Sequence, residues 1–320
     1  MVEVTKQLDL AAIRAGHERI RPHIHRTPVL TSERFDEASR ASLFFKCENF
    51  QKIGAFKARG ATNAVFSLDE SAARRGVATH SSGNHGAAVA RAAKLRSIPA
   101  HIVMPSNSAK VKIHAVESYG AQIVFCEPTE EARGKTCLEV IKKTGATLIH
   151  SFENEYVIAG QGTAALELLE DIRDLDVVMC PVGGGGLLCG TAIAAKSMQP
   201  KIKVIAVEPA NADDAAQSFR AGRRLVTEKK FTIADGLRTN VGEPNFAIIQ
   251  RCVDDIVTVS EEAIVSAMRT IWETMKIVIE PSAAVPYAAI LERAIDVNGK
   301  RVGIILTGGN VDLDALPWNL

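Results

Sequence analysis

Four consecutive glycines, in Cys180-Pro-Val-Gly-Gly-Gly-Gly-Leu-Leu-Cys-Gly190, separate an apolar run from an apolar helical pattern. Glycine lets the backbone approach a ligand and turn several N–H groups toward it at the positive end of the next helix. The segment reads as a phosphate cup; a merely structural turn would spend much chain entropy for little return. The spacing is not G-x-G-x-x-G, and no G-x-x-x-x-G-K-[ST] occurs, so neither the dinucleotide nor the triphosphate fingerprint is met. Glu208 does stand where a ribose-binding acid would, which keeps a nicotinamide-dependent oxidoreductase as the reading from another class. In Asn49-Phe-Gln-Lys-Ile-Gly-Ala-Phe-Lys-Ala-Arg-Gly60, Lys57 sits among Ala55, Phe56 and Ala58. An exposed helix lysine would fit that segment alone. Beside a phosphate cup, a desolvated amine that attacks carbonyls is the stronger reading. His80-Ser-Ser-Gly-Asn-His-Gly86 offers two hydroxyls, an amide, an imidazole and free N–H groups, a cradle for a carboxylate rather than a plain cap, which needs one such residue. Leu306-Thr-Gly-Gly-Asn310 adds a neutral hydroxyl, Thr307, beside flexible backbone.

These four segments need a frame that brings loops together. Apolar runs at 43–47, 101–104, 123–126, 147–149, 177–180, 204–207, 255–259 and 302–306 alternate with helical patterns at 85–95, 130–143, 160–169, 186–198 and 261–275. That alternation predicts an α/β chain of parallel-rich twisted sheets flanked by helices. Such sheets bind ligands at the carboxyl ends of their strands, which is where all four segments fall. Residues 77–150 hold their own strand–helix series and are expected to form a small domain, with 1–76 and 151–320 forming the large, cofactor-binding one.

The composition narrows the partner. Lys+Arg 38 against Asp+Glu 37 leaves a net charge of +1 in 320 residues, and aromatics are 5%. No nucleic-acid or membrane partner is expected from that balance, and a small molecule is. Six scattered cysteines without a C-x-x-C pair read as reduced thiols of a cytoplasmic protein. Met1-Val-Glu-Val-Thr-Lys-Gln has no apolar leader, and no run approaches about 18 apolar residues, so neither export nor a membrane span is expected.

In this order and spacing the loops resemble the fold type II (tryptophan-synthase-β type) pyridoxal-phosphate enzymes, among them the serine/threonine dehydratases and serine racemases. The resemblance runs over about residues 27–312 and includes Ala159-Gly-Gln-Gly-Thr163, Ile233-Ala-Asp-Gly236 and Glu280-Pro-Ser282. It implies that Lys57 is the Schiff-base lysine and the base for the α-proton, that Phe56 packs on the pyridine ring, and that Asn84 meets the 3′-oxygen. It implies that Gly183, Gly184, Gly185, Gly186 and Leu187 hold the phosphate through N–H groups. Ser81, Asn84 and His85 would grip the substrate carboxylate. Thr307 stands where the family places Ser or Cys against the pyridine nitrogen. Ser82 matches the second base of racemases and also lies in the substrate loop. Glu208, Ala212 and Asp214 match a divalent-cation site suited to Mg²⁺, Ca²⁺ or Mn²⁺. A homodimer is the family expectation.

A neutral hydroxyl keeps the pyridine nitrogen less protonated than a carboxylate would, which weakens the electron sink and suits loss of a β-hydroxyl with the α-proton. Dehydration of L-serine or L-threonine to a 2-oxo acid and ammonia is therefore expected, with serine racemisation and 3-hydroxyaspartate dehydration as alternatives. A distal carboxylate would need a cation, for which Arg133, His150 and Arg238 are candidates. With the sequence ending at Leu320, the carboxy-terminal regulatory domain of biosynthetic threonine dehydratases is not expected.

Overall fold

Strands covered on both faces by helices are apolar along their whole length, because no side chain reaches water. Val177–Pro181 is buried throughout, as is Arg301–Leu306 after its first residue. The computed structural model describes residues 8–81, 83–108, 110–228 and 231–318, and no helix among them is long and apolar enough to cross a membrane. The larger sheet has the order β1 (Val29–Leu30), β2 (Ser42–Cys47), β10 (Arg301–Leu306), β7 (Val177–Pro181), β8 (Lys203–Pro209), β9 (Asp255–Val259). All its pairs are parallel except β1 with β2. The smaller sheet is parallel throughout, in the order β5 (Gln122–Cys126), β4 (Ala100–Pro105), β3 (Val77–His80), β6 (Thr147–Leu148).

Register brings the chemical loops together. Leu306 pairs with Cys47 and Ile304 with Met179, so the loops after β2, β7 and β10 leave the sheet at one edge of the layer. The core lies on both faces of the large sheet, with Leu166, Val178 and Leu188 on one side and Phe35, Phe45 and Tyr287 on the other.

One helix sets the spacing between the lysine and the glycine turn. The helix Glu155–Asp171 starts earlier than its apolar pattern suggests, because Asn154 caps it by accepting from the Val157 N–H at 3.0 Å. A Cβ on Gly160 would stand 2.6 Å from Gly60 Cα, and one on Gly162 would stand 2.8 Å from the Gly190 carbonyl. Those two glycines let the helices Lys57–Phe66 and Gly186–Met198 approach it backbone to backbone. Any side chain there would push the lysine away from the glycine turn.

A buried ionic cluster anchors the same helix. Arg59, two residues after Lys57, donates to both oxygens of Glu48 (2.7 and 2.8 Å) and both of Glu167 (2.8 and 2.8 Å). Lys46 completes it, 2.7 Å from Glu167 and from the Thr27 carbonyl. The four charges balance and are satisfied by hydrogen bonds, the condition under which buried ions are tolerated.

Candidate active site

A cleft of about 240 Å³ opens between the two sheets, lined by loops from both. Its floor is built by Lys57 and Thr307. Phe56 N–H donates to the Thr307 carbonyl at 3.0 Å, which ties the lysine turn to the end of β10. Lys57 opens its helix and donates from Nζ to the Ser151 carbonyl at 2.9 Å, with the Phe56 ring centroid 5.2 Å away. Protein surrounds the amine although it stays open to the cleft. That burial lowers its pKa to about 8, with Glu280 opposing. Thr307 is 2% exposed, and its Oγ1 is buried without a partner among the described residues. A buried hydroxyl left unpaired is costly, so this one is shaped for a ligand atom.

The glycine turn faces them. Gly185 has φ +90°, a conformation open to glycine, and precedes the helix Gly186–Met198, whose first N–H groups have no partner within the helix. A Cβ on Gly184 would fall 2.3 Å from the Phe152 ring, so the turn is pressed against an aromatic wall. From behind, the Gly184 carbonyl accepts from Asn245 Nδ2 at 2.7 Å and from the Gly242 N–H at 3.1 Å. The result is a rigid concave row of N–H groups suited to a phosphate. An amine of lowered pKa, a partnerless hydroxyl and an anion cup in one cleft fit pyridoxal phosphate.

The loop after β3 forms the third wall. Ser81 Oγ accepts from the Gly83 N–H at 3.2 Å, and the helix Asn84–Arg96 begins there; the Gly86 N–H donates to the Gly83 carbonyl at 3.1 Å, which leaves those of Asn84 and His85 without a partner among the described residues and open to an anion. Ser82 lies outside the described residues. The His85 side chain differs from its expected use. Nε2 stands 2.9 Å from the Ile149 carbonyl, which can only accept, so Nε2 carries the proton and Nδ1 is an acceptor. Burial, then Lys57, lowers its pKa to about 3. A neutral imidazole with its one N–H committed cannot donate to a carboxylate, so only the main chain of His85 is available for that task. Asn84 donates from Nδ2 to Glu280 at 3.0 and 3.1 Å.

Of the three candidate cations, Arg133 lines the cleft and has no carboxylate partner among the described residues. His150 lines it too, but burial, then Lys57, lowers its pKa to about 4, and its Nδ1 accepts from the Glu153 N–H at 3.0 Å. Arg238 is not in the cleft wall: it donates to the Thr232 carbonyl at 2.9 and 2.6 Å and lies 5.2 Å from the Phe231 ring. Sequence reasoning missed Lys112 and Asp235, which pair at 2.6 Å beside the cleft, and the chemistry of Glu280. The segments Ile233-Ala-Asp-Gly236 and Glu280-Pro-Ser282 support the resemblance without giving Asp235 or Glu280 a role, and no local signal marks the pairing of Lys112 with Asp235 across 123 residues.

Away from the cleft, Glu208 is the penultimate residue of β8, its oxygens accepting from the Ala215 and Ala216 N–H groups at 3.2 and 3.0 Å, and Asp214 accepts from the Val241 N–H at 2.8 Å. Burial, then Asp214, raises Glu208 well above the carboxylate range; burial raises Asp214 to about 6. Ala212 and Asp214 line a small recess. No group of three or more His, Cys, Asp or Glu gathers to hold a metal among the described residues. Two buried carboxylates short of positive charge nonetheless have the donor chemistry of a hard divalent cation.

The comparisons agree with this geometry. The family model described as pyridoxal-phosphate dependent enzyme matches residues 20–308. The chain is 50% identical over 305 residues to the beta-hydroxyaspartate dehydratase of Paracoccus denitrificans, covering 95% of this chain and 97% of that one. The serine racemase structure from Dictyostelium discoideum superposes with a TM-score of 0.91 at 49% identity, over 96% of this chain and 99% of that one. The T.th. threonine deaminase structure does so with a TM-score of 0.90 at 41% identity, over 95% and 99%. With a lysine, a glycine cup and a partnerless hydroxyl in one cleft and the match spanning nearly the whole sequence, the chain belongs to the pyridoxal-phosphate-dependent enzyme family.

Proposed function

We propose that this chain dehydrates a small β-hydroxy amino acid, L-serine or L-threonine, to a 2-oxo acid and ammonia. The observation that carries the reading is Thr307 Oγ1, a neutral hydroxyl buried without a partner among the described residues in the cleft that holds Lys57. Bound pyridoxal phosphate supplies the electron sink that loosens the substrate's α-proton. The N–H groups of Gly183 to Leu187 would hold its phosphate, Phe56 would pack against its ring and Asn84 would hydrogen-bond its 3′-oxygen. Lys57 takes up the α-proton at Nζ, an amine that exchanges protons near neutral pH because burial lowers its pKa to about 8. Ser81 and the N–H groups at the start of the helix Asn84–Arg96 orient the α-carboxylate. Thr307, a neutral hydroxyl without the negative charge by which a carboxylate would hold the ring nitrogen protonated, would keep the sink modest and favour expulsion of a β-hydroxyl.

Arg133 favours a second reading, in which the substrate is a 3-hydroxyaspartate whose distal carboxylate pairs with that guanidinium. The 50% identity to a relative named for that activity supports it. Serine racemisation, with Ser82 as second base, is the remaining alternative within the family. Release of 2-oxo acid from L-serine, D-serine, L-threonine and the 3-hydroxyaspartate stereoisomers, with Mg²⁺ present, tests the two dehydration readings; racemisation releases no 2-oxo acid and is read from D-serine formed from L-serine. Turnover of serine or threonine upholds the first reading. Turnover confined to a hydroxyaspartate moves the assignment to the second, and no release from any refutes both.

The same proposal includes a divalent cation at Glu208, Ala212 and Asp214, a cytoplasmic homodimer, and a small domain of residues 77–150 beside a large one of 1–76 and 151–320. Chelation should lower the melting temperature, and Asp214→Ala should mimic it; no change in either refutes the cation site. Light scattering that gives a monomer mass refutes the dimer.

A further inference from the structure

Glu280 precedes the helix Pro281–Leu291 but caps none of its N–H groups with its side chain. The carboxyl group turns into the cleft instead and is 5% exposed. Gly308 makes room for it, since a Cβ there would stand 2.6 Å from Glu280 Oε1. Both carboxylate oxygens accept from one amide group, Asn84 Nδ2, at 3.0 and 3.1 Å.

The direction of that amide follows from a chain of obligatory partners. The Ile53 carbonyl can only accept, so the Asn310 atom 2.7 Å from it is Nδ2. The same Nδ2 stands 2.8 Å from Asn84, which must turn Oδ1 toward it. Nδ2 of Asn84 is thereby aimed at Glu280. A carbonyl at one end and a carboxylate at the other specify every atom between them. Sharing one amide hydrogen between the two carboxylate oxygens leaves the second for a ligand.

We propose that Glu280 is a positioning residue, holding Asn84 in the one orientation in which its NH₂ can donate to the 3′-oxygen of bound pyridoxal phosphate. The inference rests on Asn84 as a cofactor contact. It assigns a task to a buried acid that otherwise has none. Glu280 is too engaged to act as the base itself, with Asn84 and the Asn310 N–H on its oxygens and Lys57, Lys112 and Asp235 as its charged neighbours. Gly308 has the matching structural role of leaving space for the carboxyl group.

The test titrates the apo forms of wild type, Glu280→Ala, Glu280→Gln, Asn84→Ala and the Glu280→Ala/Asn84→Ala double variant with pyridoxal phosphate alone. The readouts are the dissociation constant, from quenching of protein fluorescence, and the position of the visible band. Glu280→Ala should weaken binding about tenfold, the worth of one hydrogen bond to a charged group, and move the band. Glu280→Gln retains an acceptor oxygen and should recover to within about threefold of wild type. The double variant should bind no worse than Asn84→Ala, because without Asn84 there is nothing for Glu280 to hold. Losses that multiply in the double variant overturn the proposal, as does a Gln variant as weak as Ala or a Glu280→Ala variant that binds like wild type. Glu280→Met, similar in length and unable to accept, replaces Ala if circular dichroism shows that variant unfolded. Asn84→Ala binding like wild type overturns the cofactor contact and this inference together, whereas the substrate panel judges the reaction independently.

Discussion

Replacing Gly184 by alanine loads the phosphate turn at one defined point. The new Cβ would lie 2.3 Å from Cγ and Cδ1 of Phe152. The ring cannot retreat freely, because it meets the His150 ring edge-on with centroids 4.6 Å apart. The turn cannot retreat without stretching the bonds from Asn245 and Gly242 to the Gly184 carbonyl, at 2.7 and 3.1 Å. Overpacking of this kind costs about 1–3 kcal/mol, and each kcal/mol lowers the melting temperature of a chain of 320 residues by about 1.5 °C. Calorimetry of the apo protein should therefore show a drop of a few degrees, and pyridoxal phosphate should bind more weakly as the N–H groups leave their row. Gly134 supplies the control: it lies within the helix Glu130–Thr144 with open space where its Cβ would stand. Alanine there should stabilise by up to about 1 kcal/mol through helix propensity. Removing the obstructing ring should restore the turn, so Gly184→Ala in a Phe152→Ala background should cost far less than in wild type. Equal costs in both backgrounds, or a Gly184→Ala protein that melts and binds like wild type, would refute the steric argument.

Three further outcomes follow from buried charge. Arg59→Leu strands Glu48 and Glu167 with only Lys46 to neutralise them, and urea unfolding should show a loss of about 3–5 kcal/mol; a loss under about 1 kcal/mol contradicts the cluster's role. Lys57 has a folded pKa of about 8 against an ordinary value of 10.5, so the fold disfavours the cation below pH 8. As pH rises from about 8 toward 10.5, apo wild type should gain stability relative to Lys57→Met, by on the order of 3 kcal/mol; parallel pH profiles contradict this. His85 has a folded pKa of about 3 against 6.5, so its contribution is full above pH 6.5 and is lost as pH falls toward 3. Acid unfolding followed by circular dichroism should be less steep in that window for His85→Gln, and an unchanged profile contradicts the buried neutral ring.

The frame was legible where a sequence signal coincided with a physical stop. The strand Asp255–Val259 and the helix Glu261–Met275 have the bounds their apolar patterns suggest, because Ser260 separates them and caps the helix by accepting from the Ala263 N–H at 3.1 Å. The helix Gly186–Met198 likewise begins where the glycines end. The start of Glu155–Asp171 was not legible, since Gly160 and Gly162 resemble breaks in a helix until their contacts with Gly60 and Gly190 are seen. β1 is two residues long and too short to carry a pattern. The site divided along the same line. Loops with dense glycine, serine and asparagine announced themselves, whereas Glu280 reaches Asn84 across 196 residues and no local signal could report that. His85 shows the opposite limit: its residue type suggested an anion ligand, and the Ile149 carbonyl claims its proton.

The central claim is that Lys57 is the residue that takes pyridoxal phosphate. Holoprotein treated with borohydride, digested and measured by mass spectrometry tests it most directly. The account predicts loss of the visible band and a pyridoxyl-phosphate mass on the peptide containing Lys57, absent from Lys57→Ala. The label on another lysine, or an unlabelled protein that still turns substrate over, would contradict it.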